Sequence, residues 1–131
     1  MERLRERLSL ARTALGTLEE LVEVENPSQV ERDAAIQRFE YTFEAVYKAA
    51  GRYLLLVEGV TATSPKGVVR SSREAGLLTD EQAVLALEMV DDRNLTVHTY
   101  NEALAEQIYS KLGRYAEIFA AWLTAMKAGT P

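Results

Sequence analysis

The sequence has no cysteine and a single histidine among its 131 residues. Disulfide bonds and thiolate metal sites are therefore impossible, and histidine-rich metal clusters are excluded as well. A carboxylate-based ion site is the one metal chemistry left open. We predict neither a metal ion nor a cofactor. The missing cysteine fits a reducing compartment, so a cytoplasmic location is expected.

Long apolar runs are missing too. A run such as Tyr53 to Val57 is far too short to cross a bilayer, which needs about 20 residues. The N-terminal stretch MERLRERLSLAR alternates charged residues with leucine, so it lacks the apolar core of a signal peptide. The net charge of −5 argues against broad, sequence-independent binding to nucleic acid. A local basic patch stays open, whereas no membrane association is expected.

Apolar residues are spaced as in α-helices, without the alternation of strands. They form four long seams in which successive members stand mostly three or four positions apart. The second seam predicts a helix of about 30 residues. The seams run from Leu4 to Val22, from Ile36 to Val60, from Val84 to Val90 and from Leu104 to Met126.

Capping residues mark where helices begin and end. Ser64 followed by Pro65 predicts an N-cap with proline at the first helical position, and Gly76 predicts the end of that short helix. Two capping boxes are predicted to open later helices, Thr79 with Gln82 and Thr99 with Glu102.

Together these features predict an all-α protein. We expect an antiparallel up-and-down four-helix bundle with one short additional helix, because long apolar seams joined by short breaks favour that packing. The length fits a single domain, residues 1–131. The last four residues, 128–131, are expected to fray.

One segment, DDRNLTVHTYNE (Asp91–Glu102), concentrates hydrogen-bonding side chains in an otherwise apolar helical chain. On an ideal helix Arg93 and His98 point about 140° apart, so a straight helix does not aim both at one atom. A helix break between Asp92 and Thr99, or a symmetric dimer closing over the segment, would bring them together. Spacing alone favours a plain helix junction, where such residues cap backbone groups.

The fuller pattern RNLTVHTY resembles the signature of the HEPN superfamily, an arginine followed after four or more residues by a histidine. Three further segments carry the likeness. From about Arg32 to Trp122, their order and spacing resemble the nucleotidyltransferase substrate-binding protein family, small helical partners of minimal nucleotidyltransferases. These segments are RFEYTFEAVYKA (Arg38–Ala49), SPKGVVRSSREAGLLTD (Ser64–Asp80) and HTYNEALAEQIY (His98–Tyr109).

The resemblance implies a four-helix core, a homodimer and a separately encoded nucleotidyltransferase partner. The chain has no Gly-Ser dipeptide and no Asp-x-Asp pattern, which nucleotide transfer needs to hold a triphosphate and magnesium. We therefore expect that this chain does not transfer nucleotides by itself.

The resemblance also implies residue roles, because related HEPN proteins are metal-independent ribonucleases and often toxins. Arg93 and His98 would carry RNA cleavage, with Asn94 in support. Tyr100 matches the tyrosine that partner nucleotidyltransferases modify with adenylate, and Asn101 shares a helix face with His98.

Lys66, Arg70 and Arg73 form a basic stripe on the short third helix. With Asn101 they are candidate substrate-binding residues. A solvated face is the simpler interpretation, since charge runs on short helices usually face water.

Three functions follow. The first is a substrate-binding or partner subunit of a two-component, toxin–antitoxin-like minimal nucleotidyltransferase system, which binds a nucleotide or RNA in a dimer cleft. The second is a metal-independent endoribonuclease toxin that uses Arg93 and His98 and is regulated by adenylylation of Tyr100. The third is a helical interaction module without chemistry of its own. We rank the partner subunit first, because it does not require Arg93 and His98 to converge.

Overall fold

The fold is known from a computed structural model that describes residues 1–131, and it consists of helices and connecting turns without any β-strand. Four helices are long and one is short, which confirms the all-α prediction and the expected 30-residue second helix. The helices are α1 (Glu2–Val22), α2 (Gln29–Glu58), α3 (Pro65–Glu74), α4 (Asp80–Leu95) and α5 (Glu102–Gly129), with a single 3₁₀ turn at Thr96–His98.

Contacts between α5 and its neighbours establish the directions of α1 and α2. The hydroxyl of Tyr109, early in α5, donates to the carbonyl of Leu21 at the end of α1, so these two helices are antiparallel. Arg32 at the start of α2 pairs with Glu102 at the start of α5, so α2 and α5 run in the same direction.

The remaining long helix, α4, is antiparallel to both α2 and α5. Arg93 in its last turn contacts Glu44, whereas the carbonyl of Ala86, two turns earlier, accepts a hydrogen bond from Tyr47 further along α2. The four long helices therefore alternate in direction along the chain, which confirms the up-and-down bundle. The short α3 packs against α2 and α4.

Aromatic rings from α2 and α5 meet at the centre of the bundle. Phe39 stacks on Tyr115 with ring centres 5.6 Å apart, and Tyr47 meets Trp122 edge to face at 4.9 Å. Such pairs add to the stabilisation that comes from burying large apolar surfaces. The apolar seam of α1 also packs inward, with Leu4 and Leu18 fully buried.

The apolar face of α4 differs from the one predicted. Val84 is exposed, and the buried side chains of this helix include Ala83, Ala86, Met89 and Val90. The prediction followed the larger side chains, while the helix turns its alanines inward, where their small size permits close packing. Val60 is wrong as a core position too, because α2 ends at Glu58.

Most predicted helix boundaries are confirmed. Ser64 caps α3 by accepting a hydrogen bond from Gly67 N at 3.0 Å, and the Thr79–Gln82 capping box opens α4. Gly76 follows α3 with φ of +78°, a left-handed conformation that glycine adopts without strain.

The predicted capping box of Thr99 with Glu102 is wrong. Asn101 caps α5 instead, with its side-chain oxygen accepting from Leu104 N at 3.2 Å. Thr99 does not cap α5, because its hydroxyl donates to the carbonyl of Thr96. α5 continues through Gly129, so fraying of residues 128–131 stays a prediction. None of the helices has the length and apolar character needed to cross a bilayer.

Candidate functional site at the α4–α5 junction

The polar segment lies where α4 gives way to α5, and residues 91–102 are called the junction below. α4 ends at Leu95, and one 3₁₀ turn over Thr96–His98 leads towards the start of α5. The helix thus breaks between Asp92 and Thr99, which is one of the two arrangements considered from the sequence. The Arg93 carbonyl accepts hydrogen bonds from both the hydroxyl of Thr96, at 2.7 Å, and its backbone N–H, which closes the end of the helix.

Arg93 points from the last turn of α4 towards α2. It donates to Glu44 Oε1 at 3.1 Å, and its guanidinium carbon lies 5.9 Å from the centre of the Phe43 ring. The positive charge also acts on Glu40: burial raises the pKa of that carboxyl, and Arg93 partly offsets the increase. Because Glu44 is its only hydrogen-bond partner, Arg93 keeps N–H groups free for another acceptor.

His98 and Tyr100 are exposed on the outer side of the junction. The Tyr100 side chain is 83% exposed, and its hydroxyl lies 3.4 Å from His98 Nδ1. The two rings stand edge to face with centres 5.9 Å apart. His98 Nε2 has no hydrogen-bond partner in the chain, so one ring nitrogen is free at the surface.

Arg93 and His98 have different partners within one chain. Arg93 is bound to α2 through Glu44, while His98 contacts Tyr100, and no hydrogen bond joins the two predicted catalytic residues. Asn94 is exposed. The two residues therefore have separate contacts within one chain, and their catalytic roles stay predictions.

The remaining predicted binding residues mostly have structural partners. Lys66 forms an ion pair with Asp91 at 2.8 Å, and Arg73 forms one with Asp80 at 3.2 Å. Of the basic stripe, only Arg70 lacks an ion pair. This arrangement favours the solvated-face interpretation for Lys66 and Arg73, and the Asn101 oxygen is already used to cap α5.

A buried network beneath the junction was not foreseen from the sequence. Asp92 is buried and accepts hydrogen bonds from the Tyr115 hydroxyl and from Lys111, which also pairs with Glu88. Burial, reinforced by Asp92, raises the pKa of Tyr115. Burial acts to lower the pKa of Lys111, but its bonds to Asp92 and Glu88 outweigh that effect and raise it. This network anchors the end of α4 to α5.

A second unforeseen contact joins the starts of α2 and α5. Arg32 donates from both terminal nitrogens to the two oxygens of Glu102, at 3.0 and 3.1 Å. The hydrogen bond to Glu102 raises the pKa of Arg32, and the same bond lowers the pKa of Glu102. No sequence signal pairs residues so distant in the chain.

The fold is that of a small helical-bundle protein, with Arg93, His98 and Tyr100 at the junction between its last two helices. Residues 6–128 match the family described as nucleotidyltransferase substrate binding protein like. The chain therefore belongs to that family, as the resemblance implied. No curated protein matches it at a significant level.

Three solved structures show the same architecture. A protein from Thermus thermophilus is 59% identical, with a TM-score of 0.88 over 89% of this chain and 98% of that chain. A chain of a mutant MntA–HpeT toxin–antitoxin is 15% identical, with a TM-score of 0.81 over 98% of this chain and 99% of that chain. HI0074 from Haemophilus influenzae, described as having the fold of a substrate binding domain of a nucleotidyltransferase, is 22% identical, with a TM-score of 0.75 over 92% of this chain and 98% of that chain. At 15% and 22% identity, the last two establish a shared fold.

Proposed function

We propose that this chain is the substrate-binding partner subunit of a separately encoded minimal nucleotidyltransferase. Membership of the substrate-binding family supports this, as does the missing Gly-Ser and Asp-x-Asp chemistry. The toxin–antitoxin chain and the substrate binding domain of a nucleotidyltransferase among its structural neighbours are consistent with a two-component system. A cytoplasmic location belongs to the same proposal.

The observation that carries the proposal is the exposure of Tyr100. A phenol that is 83% exposed, beside a histidine, is accessible to another protein, whereas most other tyrosines of the chain are buried or half-buried in the bundle. Exposed aromatic residues are enriched where proteins bind partners. The junction is therefore the surface that we expect the nucleotidyltransferase to contact.

We further propose that two copies of the chain pair through the junction and form a cleft that binds a nucleotide or RNA. Leu95 and Val97 are exposed apolar side chains between Arg93 and Tyr100. Exposed apolar side chains are unfavourable in water, so covering them with a second chain would stabilise the dimer. A two-fold axis here would place two copies of Arg93 and His98 around one cleft.

Co-expression tests the partner role. The full chain, carrying an affinity tag, is expressed with a minimal nucleotidyltransferase from the same genome that carries the Gly-Ser and Asp-x-Asp patterns. Size-exclusion chromatography is expected to show a stoichiometric complex. Failure of every such nucleotidyltransferase to bind would remove the proposed function.

Two valines provide a matched test of the surface. Val97 in the junction is 68% exposed and Val84, at the other end of α4, is 65% exposed. Val97→Asp is expected to weaken the dimer and the complex by about tenfold or more, because it places a charge in an apolar contact. Val84→Asp should leave both unchanged. Equal effects of the two variants would contradict a junction interface.

A second candidate function is a metal-independent endoribonuclease of the HEPN type. The free Nε2 of His98 favours it, because an exposed imidazole nitrogen can transfer a proton to or from RNA near neutral pH. Arg93 has N–H groups left for a phosphate, and Asn94 would support the site. Adenylylation of Tyr100 would add negative charge next to His98 and block the cleft.

RNA cleavage in the presence of a metal chelator tests this candidate. Wild type is expected to cleave, and Arg93→Ala and His98→Ala are expected to lose about 100-fold in rate or more. Cleavage that persists unchanged in His98→Ala would exclude the mechanism. Incubation with the nucleotidyltransferase and ATP, followed by mass spectrometry, should locate adenylate on Tyr100, with Tyr100→Phe as the control.

A further inference from the structure

A second surface, distinct from the junction, is an open groove lined by basic side chains. It is a groove of about 540 Å³ between α1, the second half of α2 and the turn that enters α3. Pockets that bind small ligands commonly measure about 300–1,000 Å³. Neither the predicted site residues nor the family match assigns a role to this groove.

Three basic side chains surround the groove, and none of them has an ion-pair partner in the chain. Arg7 comes from α1, and Lys48 and Arg52 stand one helical turn apart on α2. Many of the other basic residues are neutralised. The paired ones are Arg32, Arg38, Lys66, Arg73, Arg93 and Lys111. In a chain of net charge −5, three unpaired cations around one cavity are a local positive site.

The only acidic residue that lines the groove is already neutralised. Glu44 pairs with Arg93 at 3.1 Å, and it does not pair with Lys48 one turn further along α2. Arg7 and Arg52 are half-buried, which strengthens their attraction for an anion because less water screens them. The groove therefore offers a net positive charge to a polyanion.

The remaining wall suits a nucleoside. Leu55 has an exposed apolar side chain, and the buried Val68 and Tyr47 line the same groove. At the other side, Ser64 lies at the N-terminus of α3, where the helix dipole is positive and favours anions. Charge and apolar surface thus occur together, as a phosphorylated aromatic ligand requires.

We propose that this groove binds a nucleoside triphosphate, with the phosphates held by Arg7, Lys48 and Arg52 and the base against Leu55. The inference rests on the proposed function and deepens it, because it adds a nucleoside triphosphate site within each chain to the cleft proposed between two chains. Glu44 joins the two sites, since it lines the groove and holds Arg93 of the junction.

A second basic groove between α1 and α5 serves as a contrast. It measures about 520 Å³ and contains Arg5 and Arg12. Arg5 donates to the carbonyl of Pro131, and Arg12 donates to Thr124 Oγ1 at 3.4 Å. Its arginines therefore have acceptors from the protein, which those of the first groove lack.

Isothermal titration calorimetry of the full chain tests the proposal, with ATP, inorganic tripolyphosphate, adenosine and a short single-stranded RNA as separate probes. ATP is expected to bind with an affinity that falls as salt is raised, tripolyphosphate more weakly and adenosine weakest. Arg52→Gln and Lys48→Gln should each weaken ATP binding about tenfold or more, because each removes a charge-assisted hydrogen bond.

Matched variants keep the test specific. Arg114→Gln removes an exposed, unpaired charge on α5 away from the groove and should leave ATP binding unchanged. Arg52→Lys keeps the charge and should retain most of the affinity, and thermal unfolding verifies that each variant folds. Co-purification with the nucleotidyltransferase should persist in Arg52→Gln, which separates this inference from the partner role.

Four results would overturn the proposal. These are no ATP binding, binding of RNA alone, tripolyphosphate binding as tight as that of ATP, and an equal loss in Arg114→Gln. ATP binding without any nucleotidyltransferase complex would support the groove while removing the partner role.

Discussion

Two of the arginine–glutamate pairs that join α2 to its neighbours hold their arginines differently. Arg32 donates through both terminal nitrogens to Glu102, and its side chain is 9% exposed. Arg93 donates once to Glu44, and its side chain is 28% exposed. A bidentate, shielded pair is stronger and more restricted in geometry than a single, open one.

The difference distinguishes side chains that hold the helices together from side chains that are available to bind a ligand. Arg32 directs both terminal nitrogens at Glu102 and makes a longer contact of 3.4 Å with Asp33 beside it, so its role is to join the starts of α2 and α5. Arg93 retains donors that a phosphate can take. The same contrast occurs between neighbouring acids, since Asp92 is buried in a network and Asp91 is exposed in one ion pair. Substitutions of the shielded residues and of the more exposed residues should therefore have different effects on stability.

The largest loss of stability is expected from Asp92→Ala. It leaves the Tyr115 hydroxyl and Lys111 without their buried acceptor, so the free energy of unfolding should fall by about 3 kcal/mol. Asp91→Ala breaks only the exposed pair with Lys66 and should cost about 1 kcal/mol or less. Urea denaturation measures both, and similar losses would remove the distinction between these two acids.

The next largest effect is expected from Arg32→Ala. Loss of the bidentate pair and of the buried aliphatic stem should lower the free energy of unfolding by about 1–2 kcal/mol. Arg93→Ala should cost about 1 kcal/mol or less, while it reduces RNA cleavage if the chain is a ribonuclease. A larger stability loss in Arg93→Ala than in Arg32→Ala would show that Arg93 is part of the scaffold.

Stability should also depend on pH through Glu102. Its hydrogen bond to Arg32 lowers its pKa in the folded state below the ordinary value of about 4.3. The stabilisation is therefore present above that value and is lost as pH falls through the lower folded pKa. Wild type should exceed Glu102→Gln in stability at pH 7, and the difference should shrink below about pH 4. Glu106→Gln, an exposed change on the same helix, should show no such trend.

The smallest stability effects are expected on the outer side of the junction. His98→Ala and Tyr100→Phe should each change the free energy of unfolding by about 0.5 kcal/mol or less, because both side chains are exposed and their mutual contact is weak. A loss above about 1 kcal/mol in thermal or urea unfolding would mean that the His98–Tyr100 pair is structural.

The fold was largely predictable from the sequence, because helical periodicity and capping are local. The seam of α1, the caps at Ser64 and Thr79, and the glycine after α3 were all correct. The buried face of α4 was not predicted correctly, because alanine occurs on both buried and exposed faces of helices. Asn101 caps α5 instead of Thr99, because the Thr99 hydroxyl donates to the carbonyl of Thr96. Residue spacing does not reveal this hydrogen bond.

The candidate site was predictable in composition but not in arrangement. The motif singled out Arg93, His98 and Tyr100, and a helix break was one of two arrangements left open for them. Their partners could not be inferred, because Glu44 lies 49 positions from Arg93 in the chain. The groove at Arg7 was also invisible, since it depends on which charges tertiary contacts neutralise.

We propose that the junction is the surface through which this chain contacts its nucleotidyltransferase. Hydrogen–deuterium exchange, measured on the chain alone and in the complex, tests it directly. Amides between Asn94 and Asn101 should exchange more slowly in the complex, while the turn between α3 and α4 should not change. A complex that forms with no added protection between Asn94 and Asn101 would contradict the claim.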